Sequence, residues 1–341
     1  MKKVTFEALE TYMINMLMAA GVPEQDAKTT AAIYIWTSKR GMGHHDIHNF
    51  PSRIERIEST MINPKAHITK ISSFAGLESW DGDNGLGEVL NDFSMKRAMA
   101  LASEHGIGLC AVRRTNHYLC SAPYTLMAAK EGYIGFIMAK AQPSMGMPGC
   151  KGYVIGRAPV GYSFPMENPD PVILDMCLAN IAGEPLIKMA KEGKKLPVDY
   201  YGVDKDGNYT DDPMAILKGT VYAMGGHKGF GLAILEELLT GVLSEGAILD
   251  QEAEDPIYHG SSHTAIAIKA DALMPMDKFR ERSQELVNRL YAIDSHVRMP
   301  GDASWKQIHK HDEQGYIELE DEFLETCNKY AEKYHVEKIA L

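Results

Sequence analysis

Apolar positions in the first sixty residues recur every three to four places. Leu9, Met13, Met16 and Leu17 share one face of a helix that Thr5 can cap, running from Phe6 to about Ala20. Gly21 stops it, and Pro23 opens a second helix, rich in alanine and threonine, that runs to about Arg40. After the stretch GMGHHDIHNF, Pro51 begins a shorter helix with Ile54, Ile57 and Met61 in phase.

From about residue 66 the period changes to alternating strands and helices. ITKISSFAGLESW reads as a strand pair and Gly85 to Ser103 as a helix. GLCAVRR reads as a strand, SAPYTLMAAKEG as a helix, and YIGFIMAKA as a buried strand with a near-continuous apolar run. VILDM is a short strand, and helices are expected around 181–193 and 227–245. The strand HTAIAIKA follows, then a long amphipathic helix near 276–293 and a charged helical tail from Glu318 to Lys338. The pattern specifies a mixed α/β fold and leaves strand order open. With 341 residues the chain exceeds the ~250–300 at which single cores stop growing, so two lobes are expected. No flexible linker separates them, which points to interleaved segments.

Net charge is −11, which gives no electrostatic support to a nucleic-acid or anionic-membrane role. The five cysteines, Cys110, Cys120, Cys150, Cys177 and Cys327, lie far apart without a CxxC pair, which argues against a disulfide framework and a cysteine zinc site. Glu7 and Glu10 interrupt the first apolar run, so it reads as an amphipathic helix and not a signal peptide, and no stretch nears ~18 uninterrupted apolar residues. A reduced, soluble, cytoplasmic protein is expected.

Candidate chemistry centres on GMGHHDIHNFP, where His44, His45 and His48 surround Asp46. His44 and His48 have the i, i+4 spacing of two ligands on one helix face, but a zincin needs glutamate after the first histidine, and His45 stands there. Gly43 and Asp46 also make a poor helix interior. Acid–base chemistry by one imidazole is simpler, because histidine titrates near ~6.5. No metal is therefore expected. RRTNHYLCSAPY places Asn116 and His117 where a strand gives way to a helix, a common source of ligand-contacting side chains. No GxGxxG follows a strand. Of two glycine clusters, DGDNGLG reads as a turn, whereas GGHKGFG opens a helix with His227 and Lys228 and suits an anion. VDKDGNYTDDP imitates a calcium loop but lacks its terminal glutamate and reads as a tight turn.

In order along the chain, VTFEAL, HHDIHNFP, ESWDGDNGLG, ASEHGIGLCAVRRTNHY, GYVIGRAPVGYSFP, VILDM, GGHKGFGLAI and VRMPGD resemble the malate/L-lactate dehydrogenase family that lacks the usual dinucleotide fingerprint, its 2,3-diketo-L-gulonate reductases most of all. The resemblance implies a mixed sheet flanked by helices that binds a nicotinamide cofactor in an unconventional, non-Rossmann manner. It further implies a helical lobe from both termini (1–65 with about 300–341) beside a cofactor- and substrate-binding domain (about 66–300), and a homodimer. The activity implied is NAD(P)H-dependent hydride transfer between nicotinamide and a 2-oxo/2-hydroxy acid or sugar-derived keto acid, NADH being favoured over NADPH. His45 matches the family's proton donor, Asp175 the carboxylate that holds it, and His117 a second active-site histidine. Cofactor contacts carry over to Pro171, Val172, Ile173, Leu174, Asp175, Met176 and Cys177, to His227 and Lys228, and to Gly301, Asp302 and Ala303.

This chain departs from the family in the substrate pocket. Serine and glycine beside the catalytic histidine are replaced by His44 and Asp46, and the expected carboxylate-gripping arginine by Asn49. Asparagine cannot supply a guanidinium fork. An Asn-Ser pair has become Lys140-Ala141, and Arg157 enters a Gly-Thr-Asn-Pro turn. Either another cation, Arg53, Arg113, Lys140 or Arg157, takes the substrate anion, or His44 and Asp46 read a hydroxyl-rich or sulfonated molecule. Two rival readings remain: a metal-dependent hydrolase or lyase on the histidine cluster, and a non-catalytic cofactor-binding relative.

Overall fold

A computed structural model describes residues 1–340 except Met42, His44, Asp199 and 252–259. The Thr5 hydroxyl accepts from the Ala8 N–H at 3.1 Å and caps α1 (Phe6–Ala19) as its position predicts. Thr5 also closes a strand, β1 (Lys2–Thr5), that the helical pattern hid. α2 (Glu24–Arg40) follows Pro23 and stops at Gly41, whose φ of 73° suits a residue without Cβ. A short 3-10 turn (Ile47–Asn49) leads into α3 (Phe50–Glu58). Ile54 and Ile57 are buried on it, but the helix ends before Met61, which is exposed.

The alternating region begins with β2 (Thr69–Phe74), β3 (Leu77–Asp81), α4 (Gly87–His105) and β4 (Ile107–Thr115). It continues through α5 (Ala122–Lys130), β5 (Tyr133–Ala139), the short pair β6 (Pro143–Met145) and β7 (Ile155–Gly156), then β8 (Val160–Ser163), β9 (Ile173–Met176) and α6 (Gly183–Lys191). A second short pair, β10 (Gly202–Val203) and β11 (Thr220–Val221), brackets α7 (Pro213–Lys218). α8 (His227–Glu237) runs on as one wider turn over Leu238–Val242, before β12 (Ser261–Lys269) and α9 (Met276–Ile293). The chain finishes with α10 (Asp302–Gln314), β13 (Tyr316–Leu319) and α11 (Asp321–Tyr334). The expected tail helix starts only after β13, and α10 was not foreseen.

Seven strands form one mixed sheet in the order β2-β3-β4-β12-β5-β8-β9, with β3 and β4 parallel and the other pairs antiparallel. β12 lies at the centre, with His263 opposite Val112 of β4 and Ala139 of β5. Its Ala265 and Ala267 pack with Met95, Ala98, Met99 and Ala102 of α4. Small residues are needed there because helix and sheet approach closely: a Cβ on Gly108 would lie 2.1 Å from the Ala98 carbonyl oxygen. Burial pushes the His263 imidazole down to about 3, so it stays neutral between Asn91 and Ser94 at 3.2 and 3.0 Å.

The two ends of the chain meet. β1 pairs antiparallel with β13, from Lys2 opposite Leu319 to Thr5 opposite Tyr316. Leu9, Met13, Met16, Leu17, Phe50 and Ile54 then share one apolar core with Leu324 and Cys327 of α11. The Tyr12 hydroxyl closes it by donating to the Cys327 carbonyl at 2.8 Å. No described helix is long and apolar enough to cross a membrane.

One candidate substrate cation is lost to this core. Arg53 is 1% exposed, and its Nε and Nη2 both donate to Glu88 Oε1, at 3.1 and 2.6 Å, with Glu88 fully buried. A guanidinium enclosed with its own carboxylate cannot also receive a substrate anion. Removing one partner of such a pair leaves an uncompensated buried charge. Arg53→Met is therefore expected to lower unfolding free energy by about 3–5 kcal/mol in urea titrations, and Arg53→Met with Glu88→Leu to restore most of it.

Candidate active site

Gly41 turns the chain out of α2 into the histidine loop, and Asp46 ends that loop by capping the 3-10 turn, its Oδ1 accepting from the His48 N–H at 3.0 Å. Asp46 is buried and committed to His48, whose Nδ1 lies 2.7 Å from the same oxygen. His48 Nε2 meets Glu320 at 3.1 Å, and its ring lies 4.9 Å from that of Phe323, so this histidine fastens the loop to the start of α11. Both nitrogens are engaged, which removes His48 as a metal ligand and Asp46 as a reader of substrate hydroxyls. Among the described residues no three His, Cys, Asp or Glu are grouped to hold a metal ion. His44 lies outside the described residues.

His45 packs beside a different segment. Its ring centroid is 5.1 Å from that of His117, which sits on the turn between β4 and α5. The Leu119 N–H donates to His117 Nδ1 at 3.3 Å, which places the proton of a neutral ring on Nε2. Asn116 pins the same turn through its Nδ2, 2.8 and 3.0 Å from the carbonyls of Asn84 and Gly85. Arg56 donates to its Oδ1 at 3.0 Å.

Asp175, in β9, receives both histidine segments. Its Oδ1 accepts from the Ser121 N–H at 3.1 Å, four residues beyond His117, and its Oδ2 is ion-paired with Arg40, five residues before His45. The side chains of Arg40 and Asp175 are 5% and 9% exposed. Burial works against the Arg40 charge, and Asp175 together with Cys120 more than offsets it. Sequence reasoning overlooked Arg40. Its one signal was its place at the last position of α2, directly before Gly41, where a buried arginine and a solvated one look alike.

The three stretches matched to cofactor contacts lie along one run of backbone. Ile173 N–H donates to the Pro300 carbonyl at 3.0 Å, and Trp305 Nε1–H to that of Pro171 at 2.8 Å, which sets Pro171–Cys177 against the start of α10. Gly301 has φ 103°, and a Cβ there would lie 3.1 Å from the Ile173 nitrogen, so the approach requires glycine. Asp302 Oδ2 accepts from Met299 N–H and the Tyr291 hydroxyl, each at 2.9 Å. Past Cys177 the chain bridges Ala179 to Ala223, and Met224 N–H donates to Leu178. That brings it to α8, whose first residues His227 and Lys228 are exposed and whose N-cap, Gly226, supplies no side-chain hydrogen bond. Nothing lies within 4 Å of a Cβ built on Gly226. The Lys228 and Gly229 N–H groups donate to the Gly225 and Met224 carbonyls at 3.3 and 3.0 Å, so what fits a dinucleotide phosphate here is the positive end of the helix together with the exposed lysine in an unobstructed place.

The remaining candidate cations differ in availability. Arg113 is held by Asp81 and Glu245 at 3.1 and 3.5 Å. Lys140 is buried at the end of β5, and its charge opposes the rise that burial gives Glu237. Arg157 Nε donates to the Ser144 carbonyl at 3.3 Å, and its Nη1 approaches the start of α6. Glu184, in the first turn of α6, lies 3.5 Å from a Cβ built on Gly43 of the histidine loop. Asn49 occupies the N-cap position of α3 without a side-chain capping bond.

A malate/L-lactate dehydrogenase family model matches residues 4–328. The 2,3-diketo-L-gulonate reductase of Citrobacter koseri is 33% identical over 307 residues, 88% of this chain and 91% of that protein. The malate/(S)-sulfolactate dehydrogenase of Methanothermus fervidus is 29% identical over 334 residues, 97% and 98% of the two chains. Among solved structures, sulfolactate dehydrogenase from Methanocaldococcus jannaschii superposes with a TM-score of 0.89 at 26% identity, covering 98% of each chain.

The Asp46 hydrogen bond, aided by Glu320 and opposed by partial burial, raises the His48 imidazole from 6.5 to about 9. Because the folded value lies above the unfolded one, the stabilisation is complete below the unfolded value and disappears as pH climbs through about 9. His48→Gln should therefore melt below the parent protein at pH 6, and thermal melts across a pH series should show the gap closing above pH ~9. A gap independent of pH would mean that no imidazolium is held there.

Proposed function

The chain belongs to the malate/L-lactate dehydrogenase family, and on that footing we propose that it reduces a 2-oxo acid or a sugar-derived keto acid with NADH, NADPH being the alternative donor. The observation that carries this reading is the convergence on Asp175 of the segments bearing His45 and His117, through Arg40 and Ser121, with the two rings 5.1 Å apart.

When bound, the nicotinamide supplies the hydride that the carbonyl carbon accepts. His45 donates its proton to the carbonyl oxygen as that oxygen becomes an alkoxide, and Asp175 favours the charged imidazole that makes the donation possible. His117, beside it, hydrogen-bonds the same oxygen and keeps the carbonyl turned toward the donor. Pro171–Cys177 and Gly301–Ala303 would cradle the dinucleotide, with its phosphates at His227 and Lys228. Arg157 and Lys140 are the candidates for the substrate anion in place of a guanidinium at Asn49, and His44 completes the substrate side of the proposal. The division into a terminal helical lobe and a central sheet domain is part of the same reading.

A homodimer is also proposed. Leu232, Leu235, Leu238 and Val242 form an apolar stripe along α8 and its wider turn, each about half exposed. Leu235→Asp with Leu238→Asp should convert a dimer to monomers in analytical ultracentrifugation.

The catalytic reading is tested by following NADH and NADPH oxidation with pyruvate, oxaloacetate and 2,3-diketo-L-gulonate. On the best of these, His45→Ala should cut turnover by on the order of 10²–10⁴. Its affinity for NADH, read by tryptophan quenching, should stay within about twofold of the parent because the imidazole acts on the substrate oxygen. A variant that keeps most of its turnover would move the proton donor to His117.

A further inference from the structure

Arg40 does more than neutralise a buried carboxylate. Its Nη1 pairs with Asp175 and approaches Cys120 Sγ at 3.6 Å, while its Nε donates to Ser304 Oγ at 2.9 Å. Ser304 follows Gly301–Ala303 in the first turn of α10. The guanidinium also lies 5.9 Å from the Trp36 ring centre, and Trp36 and Trp305 flank the small core of Cys120, Ala122, Leu126 and Ile173. One planar cation thus touches the strand that carries Asp175, the turn after His117 and the helix proposed to face the cofactor. Gly41 and the histidine loop begin at its own carbonyl.

We propose that Arg40 is a positioning residue that holds Asp175 on one side and the first turn of α10 on the other, and so fixes how much negative charge the His45 imidazole meets. The inference rests on the assignment of His45 and Asp175 made above. A carboxylate already paired with a guanidinium presents a dipole to a neighbouring imidazole, whereas an unpaired one presents a full charge.

Among the described residues, the groups that the packed elements bring against the carboxylate, Arg40 aside, carry no charge. The turn before α5 contributes Tyr118 and Cys120, and burial drives the phenol and the thiol up, so both stay neutral. β8 contributes Gly161, opposite Asp175, and α10 contributes the neutral Ser304. On the side of His45 the described titratable groups include His117, the adjacent Asp46, which is paired with His48, and, at the loop's Gly43, Glu184.

The test needs no identified substrate. In full-length protein labelled with ¹³Cε1-histidine, the His45 resonance is assigned by its loss in His45→Ala and titrated with pH. Arg40→Gln should raise its midpoint by about one unit, Asp175→Asn should lower it, and the double variant should lie between them. A merely structural arginine predicts no such opposed movement. If Asp175→Asn lowers the midpoint and Arg40→Gln leaves it in place, the role given to Arg40 is wrong and the catalytic assignment stands. If Asp175→Asn has no effect, the assignment of Asp175 itself falls. Should Arg40→Gln not fold, Arg40→Lys decides the matter: an ammonium keeps the charge but cannot serve both Asp175 and Ser304. Its midpoint should stay within about 0.3 unit of the parent, while the Kd for NADH by tryptophan quenching rises severalfold. A midpoint that climbs by a full unit, or an unchanged Kd, overturns the proposal.

Discussion

A carboxylate buried near the end of a strand has to be met by a cation or by N–H groups, and Asp175 is met by both. The demand falls on residues far apart in the chain. Arg40 ends the second helix, and Ser121 begins the fifth, each carrying a histidine a few positions away. Satisfying one side chain thus draws two loops to one place, and the rest of the candidate site is built around that meeting. The backbone proposed to face the cofactor follows as well, since the chain beyond β9 bridges to residues 222–224 just before α8, and β9 itself abuts the start of α10.

Within the histidine loop, packing has separated residues that look equivalent in the sequence. His48 is held by Asp46, Glu320 and Phe323 and serves as a fastener. His45, three positions earlier, turns toward His117. A loop proposed to present one imidazole benefits from a second that fixes its far end, and one charged partner of His48, Glu320, comes from outside that loop.

Local signals were legible wherever the physics is local. Thr5 caps its helix, Pro23 and Gly41 bound the next, and Met276–Ile293 spans the range that its amphipathic period indicates. β1 and β13 escaped because each is four residues long and exists only by pairing with the other. Met61 misled because an in-phase position does not say where a helix stops. Arg53 and Arg40 show the same limit for charge: both arginines are buried against carboxylates, Glu88 and Asp175, contributed from distant segments. Side-chain type suggested a cation for the substrate, and only the tertiary partner reveals that Arg53 is already occupied. His45, His117 and Asp175 were proposed through resemblance; the residue that ties the His45 segment to Asp175 is Arg40, which the resemblance did not single out.

The placement of β12 bears on how the chain is made. The centre of the sheet comes from residues 261–269, so β4 and β5 have no partner for each other's facing edges until that later segment has been made. During synthesis those two strands present unpaired N–H and C=O groups to anything nearby, a known invitation to aggregation. β1 waits longer still, for residues 316–319. Pairings of such large sequence separation favour slow closure of the sheet.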